Sequence, residues 1–265
     1  MNISILAPKG GVGSSTLAVL LANVRSLYRP MILVDAAPDP SLDIYTATDH
    51  LMPESAENLT EQAVAWAENC RRIRLEAEEI QAQLPPFLGI EHQDLIIDWG
   101  VPTEDAIHFL AGNPMEVIVV LTQDNQVLRS ADRLLGRLRQ AGIRCRFVIS
   151  HLQEADAADL ADLDEVFDLV EEDYLGAIPW NPALRIQMNR GNLAELDQSV
   201  QTNLEQINER IEEQAADSDE DVDTTIEEEN PELPEGTAAP VETEQAGSGV
   251  LSNIRRFFKN FGKGR

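Results

Sequence analysis

The run "ISILAPKGGVGSSTLAVLLANV", residues 3–24, constrains this chain more than any other stretch. A short apolar segment passes through Gly10, Gly11 and Gly13 into an apolar segment of helical length. Glycines at such a junction let the backbone turn sharply, and both flanking segments are too apolar to lie on a surface. The pattern predicts a central strand feeding a buried helix over 15–28. It then recurs along the chain. "PMILVD" (30–35), "DLIID" (94–98), "EVIVVLT" (116–122), "RCRFVIS" (144–150) and "YLGAIPW" (174–180) read as buried strands. Helices are expected over 104–111, 126–142, 154–172, 182–190 and 196–215. The stretch 55–83, rich in Ala, Glu, Gln, Arg and Leu, reads as one long helix or two. Short apolar strands separated by helices predict an α/β fold, a doubly wound and mostly parallel sheet covered on both faces.

In such sheets ligands bind at the carboxyl ends of the strands. The Gly-rich loop lies at one such end, and so do Asp35, closing "PMILVD", and Asp98, closing "DLIID". Inward-turned amides of Gly10, Gly11 and Gly13, with the dipole of the following helix, suit phosphate oxygens. The Ser15 hydroxyl is placed to ligate Mg²⁺, and Asp98 to hold the same ion through water. A ligand-free strand-to-helix turn is the competing reading. The phosphate loop pattern G-x-x-x-x-G-K-[ST] calls for a Lys where this chain has Ser14, and for a Gly where it has Pro8.

"KGGVGSST" resembles the deviant Walker A motif K-G-G-x-G-K-[ST]-T of the ParA/MinD superfamily of P-loop ATPases. "ILVDAAPDP" is similar to the family's first acidic strand and "DLIIDWGVP" to its Walker B strand. "LGAIPWNPALRIQMNRG" resembles its late I-P-x-D-P segment with the following helix. The likeness spans residues 1 to about 212. It implies ATP and Mg²⁺ as cofactors, held by Lys9, Gly10, Gly11, Val12, Gly13, Ser14, Ser15, Thr16, Asp35 and Asp98. It also implies a homodimer in which Lys9 crosses to the partner's phosphates. Small polar residues at the Ser14 position resemble two branches, the MinD-like CpaE/TadZ proteins of pilus assembly and the BcsQ proteins that accompany cellulose synthase.

Two departures bear on activity. Ser14 removes a phosphate-binding cation, which weakens affinity unless dimerisation restores it. Ala37 stands where the family has the Asp that orients the attacking water. Asp39, two residues on, is the substitute candidate, against the plainer reading that it caps a turn. With Lys9 and Asp39 as the catalytic candidates, hydrolysis is expected to be slow or absent. The family's base-reading Asn is replaced by Ser150 and His151, so adenine preference rests on the resemblance alone.

Charge separates the rest of the chain. Of the net −27, residues 214–248 hold twelve acids and no base, and 249–265 hold five bases and no acid. That leaves −20 on 1–213. The expected organisation is a nucleotide-binding domain (1–213), an acidic disordered linker (214–248) and a basic amphipathic helix (249–265). On that helix Ile254, Phe257, Phe258 and Phe261 share one face, with Arg255, Arg256 and Lys259 on the other. This fits an anionic membrane surface, against docking on the protein's own acidic body or on another protein. No secretory leader or transmembrane run is evident, and Cys70 and Cys145 have no metal spacing, which suits the cytoplasm. The combined expectation is a cytoplasmic protein, peripheral at the inner membrane, that positions or assembles a cell-envelope machine through a protein partner. A ParA-type DNA partition ATPase, using Arg71, Arg72 and Arg74 or the run from Arg133 to Arg146, is the rival, with a nucleotide-free scaffold and a metabolic enzyme behind it. The acidic balance disfavours DNA.

Overall fold

The computed structural model describes residues 1–39, 42–47, 63–67, 69–85, 88, 90, 92–152, 173–191, 193 and 196–220, the side chains of 77, 78, 152 and 214–220 excepted. Eight strands form one sheet: β1 (Asn2–Leu6), β2 (Met31–Asp35), β3 (Val64–Ala67), β4 (Cys70–Arg74), β5 (Asp94–Gly100), β6 (Glu116–Leu121), β7 (Arg146–Leu152) and β8 (Tyr174–Pro179). Their order is β3-β4-β2-β5-β1-β6-β7-β8. All neighbours run parallel except the edge pair β3–β4. The helices are α1 (Ser14–Ser26), α2 (Leu42–Tyr45), α3 (Ala77–Gln83), α4 (Glu104–Gly112), α5 (Asn125–Gln140), α6 (Pro182–Asn189) and α7 (Gln198–Glu220).

The sheet separates two apolar layers. Leu17, Leu20 and Leu21 of α1 pack with Leu184 of α6 and Leu204 and Ile207 of α7 against Ile3, Ile5, Leu33 and Ile96. On the opposite face Ile80 of α3, Phe109 of α4 and Leu134 and Leu138 of α5 cover Leu6, Val34, Ile97 and Val119. Alternate residues of β1 and β5 thus enter opposite layers, as the period of a strand buried on both faces requires. Gly176 has φ +149°, and a Cβ there would stand 2.8 Å from Ile207 Cγ1, so glycine lets α7 close onto β8.

The doubly wound, mostly parallel sheet is as the alternating pattern predicts, with two corrections. In the stretch 55–83, read as helix, Val64–Ala67 and Cys70–Arg74 are strands and only Ala77–Gln83 is helical. The composition favours helix, and an apolar-run criterion misses "CRRIR" because its inward residue is an arginine. Arg72 is 1% exposed. It is tolerated because its Nη1 lies 4.0 Å from Asp35 Oδ2 on the adjacent strand. Residues 48–62 and the expected acidic helix over 154–172 lie outside the described residues. At the other end α7 continues to Glu220. It thus runs into the stretch 214–248 expected as a disordered linker, because the helical pattern of its first turns carries on past the last buried residue; the rest of that stretch and the expected terminal helix lie outside the described residues. Among the described residues no helix is long and apolar enough to cross a membrane.

One buried polar cluster ties α1, β5 and α7 together at the amino edge of the sheet. Arg25 donates to Asp94 Oδ2 through Nε at 2.9 Å and Nη2 at 2.6 Å, and through Nη1 to Asn208 Oδ1 at 2.6 Å. The Met1 ammonium lies 2.8 Å from Asp94 Oδ1. Burial pushes the Asp94 carboxyl up, but hydrogen bonds from the ammonium and from Arg25 outweigh it and hold the group below its ordinary 3.8. A lowered folded value stabilises the charged form. The contribution of Asp94 is therefore complete above about pH 4 and is lost as pH falls through the lowered value. Arg25→Met leaves a buried carboxylate short of partners and should cost about 3 kcal/mol at pH 7. Urea denaturation at pH 7 and below pH 4 checks this, with the gap between variant and parent narrowing at the lower pH.

Candidate functional site

Helix α1 begins on Gly13, in the left-handed region at φ 98°, with no side chain capping its first amides. By contrast Thr103, Asp124 and Asn181 cap α4, α5 and α6. The free amides of α1 therefore face a cleft of about 660 Å³ at the carboxyl edge of the sheet. Gly10, Gly11, Gly13, Ser14, Ser15 and Thr16 form its floor. A Cβ at Gly10 or Gly11 would meet nothing within 4 Å, so the loop opens into free space. At Gly13 a Cβ would stand 2.7 Å from Ser150 Oγ, so the carboxyl end of β7 is packed beneath the turn.

Register places the acids. Asp35 pairs with Asp98 across β2–β5 and with Arg74 across β2–β4, giving a row Arg74, Asp35, Asp98 toward the carboxyl edge. Asp98 is 0% exposed. Its Oδ1 accepts from the Gly100 amide at 3.1 Å, while Oδ2 is buried with no partner at full hydrogen-bond geometry. Burial raises its pKa, and the Ser15 hydroxyl, the Gly100 amide and the Ser14 hydroxyl pull it back. A buried carboxylate oxygen without a full partner, in a group beside a serine hydroxyl at the head of a glycine-rich turn, is a donor set that suits a hydrated Mg²⁺. Among the described residues no group of three or more His, Cys, Asp or Glu side chains could hold a metal by itself. Such an ion would take its remaining ligands from phosphate and water.

Asp35 is brought beside Asp98 but not into the cleft. Burial pushes it up to about 6, against the pull of Arg74, and the neighbouring Asp98 charge raises it further. Arg74 Nη1 lies 3.5 Å from its Oδ1, and the Ala37 amide donates to the same oxygen at 3.4 Å. Lys9 does not line the cleft either. It is exposed, and its Nζ donates to Gln126 Oε1 at 2.9 Å in the first turn of α5. The Val12 side chain is in the core, which leaves its backbone for any ligand. Ala37 and Asp39 both line the cleft, Ala37 buried and Asp39 exposed.

Of the other wall, only His151 was singled out from the sequence, beside Ser150 at the position of the family's base-reading Asn. That wall is made by Tyr45, Val101, His151, Trp180, Asn181, Arg185 and neighbours. Its signal was "IPWNPALR", similar to a family segment but carrying no charge pair or glycine pattern that marks a ligand. The arginines considered for DNA are largely engaged. Arg146 Nε lies 2.5 Å from Glu116, Arg137 2.7 Å from Glu104 and Arg144 3.5 Å from Asp173. Arg72 and Arg74 are turned to Asp35, on a strand rather than a helix face.

Gly13→Ala forces a side chain into a left-handed position against Ser150 and should lower stability by about 2 kcal/mol. Gly10→Ala, in open space, should stay within about 0.5 kcal/mol of the parent. Urea midpoints of the two variants check the contrast.

No family model matches the chain. A Guillardia theta protein named as a septum site-determining MinD is 26% identical over 224 residues, 75% of this chain and 82% of the relative. The septum site-determining protein MinD of Synechocystis sp. is 25% identical over 214 residues, 71% and 79% of the two chains. Among solved structures, the MinC:MinD cell division complex of Aquifex aeolicus aligns with TM-score 0.69 at 17% identity, covering 80% of this chain and 96% of that one. An McdA variant of Cyanothece in complex with ATP aligns with TM-score 0.66 at 18% identity, covering 80% and 96%. A ParA family ATPase of Chlorobium tepidum aligns with TM-score 0.62 at 16% identity, covering 79% and 98%. In its deviant glycine loop at the central strand, its sheet order and its sequence relatives, the chain is similar to proteins of the ParA/MinD superfamily.

Proposed function

We propose that this protein binds ATP with Mg²⁺ at the Gly10–Thr16 loop, dimerises around it and hydrolyses it slowly or not at all. The observation that carries this reading is the uncapped start of α1 above a buried Asp98 that keeps one oxygen without a full partner and has the Ser15 hydroxyl beside its carboxylate. Amides of Gly10, Gly11, Val12 and Gly13 would take the phosphate oxygens, with the Ser14 and Thr16 hydroxyls beside them. Ser15 and Asp98 would hold the metal, which neutralises phosphate charge when bound. The charge that Ser14 lacks falls to Lys9. Its exposed ammonium, resting on Gln126, is free to swing across a dimer face. Solved McdA bound to ATP, in a similar fold, supports the choice of nucleotide.

Hydrolysis needs a group to orient water. Ala37 cannot, and Asp35, held by Arg74 and Ala37 below the surface, is not turned to the cleft. Asp39 is the remaining carboxylate on the cleft wall. Retention of binding with weak turnover makes the protein a nucleotide-dependent scaffold. The basic amphipathic tail, residues 249–265, would carry the dimer to an anionic inner-membrane surface, two tethered helices binding where one is weak. We infer a role in positioning a cell-envelope machine, of the pilus or cellulose-synthase kind suggested by the loop's likeness to the CpaE/TadZ and BcsQ branches. DNA partition is disfavoured by the acidic balance and by the paired arginines.

Calorimetry with Mg·ATP, run beside mass measurement, should give micromolar binding and a dimer that Lys9→Ala abolishes, with affinity falling at least about tenfold. No binding and an unchanged mass would leave a nucleotide-free scaffold. Ala37→Asp should raise ATP turnover by about tenfold or more over a near-background parent, read as phosphate release. Removal of residues 249–265 should abolish co-sedimentation with vesicles containing anionic lipid while leaving ATP affinity unchanged. Persistence of co-sedimentation would remove the membrane role from the tail.

A further inference from the structure

Among the residues that line the cleft, Arg185 carries the one cationic side chain and Asp39 the one acidic side chain. Packing fixes where Arg185 stands. Leu184 and Met188, one turn apart on α6, are buried in the apolar layer shared with α1. Arg185, between them in sequence, is left exposed at the cleft. Among the described residues no hydrogen bond or ion pair engages its guanidinium, and Asp39 does not meet it. By contrast Arg25, Arg74, Arg137 and Arg146 each meet a carboxylate. Arg185 also follows the Asn181 cap by four residues, near the positive end of α6, where a cation is disfavoured unless an anion comes to it. In so acidic a body, that anion has to come from outside.

The glycine loop is close by. His151 sits edge-on to Trp180, at 80° with centroids 5.5 Å apart. A Cβ on Gly13 would lie 3.9 Å from His151 Cε1. Burial, and secondarily the positive Arg185, hold His151 below its ordinary 6.5, so the ring itself brings no charge at pH 7. His151 therefore stands near both Arg185 and the head of α1. The other cations of a phosphate site are missing here. Ser14 is uncharged, and Lys9 rests on Gln126 without lining the cleft. A magnesium-bound triphosphate is still an anion, and within one protomer Arg185 is the only side-chain counter-charge the cleft presents to it. The donors of a guanidinium lie in a fixed fork that matches phosphate oxygens, and its charge survives at every pH of interest.

We propose that Arg185 binds the triphosphate in cis, supplying inside one protomer part of the charge that Ser14 omits, so that nucleotide is captured before Lys9 of a second copy closes on it. This rests on the nucleotide reading of the loop and adds to it a residue which that reading did not use. Capture and dimerisation then depend on two different cations.

The test is calorimetry with Mg·ATP and Mg·tripolyphosphate, the latter carrying phosphates but no base or ribose, on the full chain and on its Lys9→Ala variant. Arg185→Gln should weaken both ligands by a similar factor of about tenfold, in the parent and in Lys9→Ala alike. Arg185→Lys, which keeps the charge but not the fork, should recover part of the loss. Raising the ionic strength should weaken binding by the parent more than by Arg185→Gln. The urea midpoint of Arg185→Gln should match the parent, since the side chain is exposed and without partners. Unchanged affinity in Arg185→Gln would overturn the proposal. So would a loss confined to ATP, which would place the guanidinium on the base or ribose, and a loss absent from Lys9→Ala, which would place it across the dimer. Failure of the parent to bind either ligand would overturn the loop reading and Arg185 with it. Binding that ignores Arg185 overturns only the role of Arg185.

Discussion

The carboxylate of Asp98 is fully buried at the carboxyl end of β5, beneath the first turn of α1. Taking such a charge out of water is costly unless donors or a cation meet it. The structure offers it hydroxyls and an amide on one side and leaves one oxygen without a full partner. Placement of the glycine loop, start of α1 and register of three strands all act on that one group. Parallel pairing sets Asp35 level with Asp98, and Arg74 level with Asp35. The like charges of two adjacent buried acids are thus separated in role: one is neutralised by arginines, the other faces the phosphate turn.

This arrangement clarifies the two departures from the family loop. Ser14 replaces a long cation with a short hydroxyl on the cleft floor that also reaches Asp98. Ala37 follows an Asp35 already engaged by Arg74 and by its own turn amide. Both changes remove charge from the mouth of the cleft while its backbone remains open, with a capacious volume above it. On the proposed function, a site so altered would keep the means to hold an anion and lose much of the means to activate water. Catalysis by positioning suffers first, because water must be oriented by a group that reaches it, whereas amides at a helix start bind oxygen by their fixed direction.

The glycine loop, Asp35, Asp98 and most of the alternating strands and helices were legible because each is a local signal. An apolar run bounded by turn residues, or an acid ending such a run, can be read within ten residues. The strand Cys70–Arg74 was not legible for the opposite reason. Its inward arginine makes sense only beside Asp35, nearly forty positions earlier, so local composition pointed to helix. Lys9 was read as part of the loop motif, whereas its contact with Gln126 depends on where α5 begins. The aromatic wall was likewise hidden: His151 and Trp180 are twenty-nine positions apart and meet only because β7 and β8 end side by side.

By itself the sequence determined the parallel α/β architecture, the glycine turn at the head of α1 and the likeness to the ParA/MinD superfamily, since periodicity and glycine spacing are properties of short windows. It also set the strong division of charge between body and tail. Tertiary structure alone decided which acid lies under the turn and which is tied to arginine, because strand register, not sequence distance, sets the fields that side chains feel. It alone decided, too, that an indole and an imidazole close the cleft beside Gly13. Packing between strand ends brings those rings together, and no local pattern encodes it.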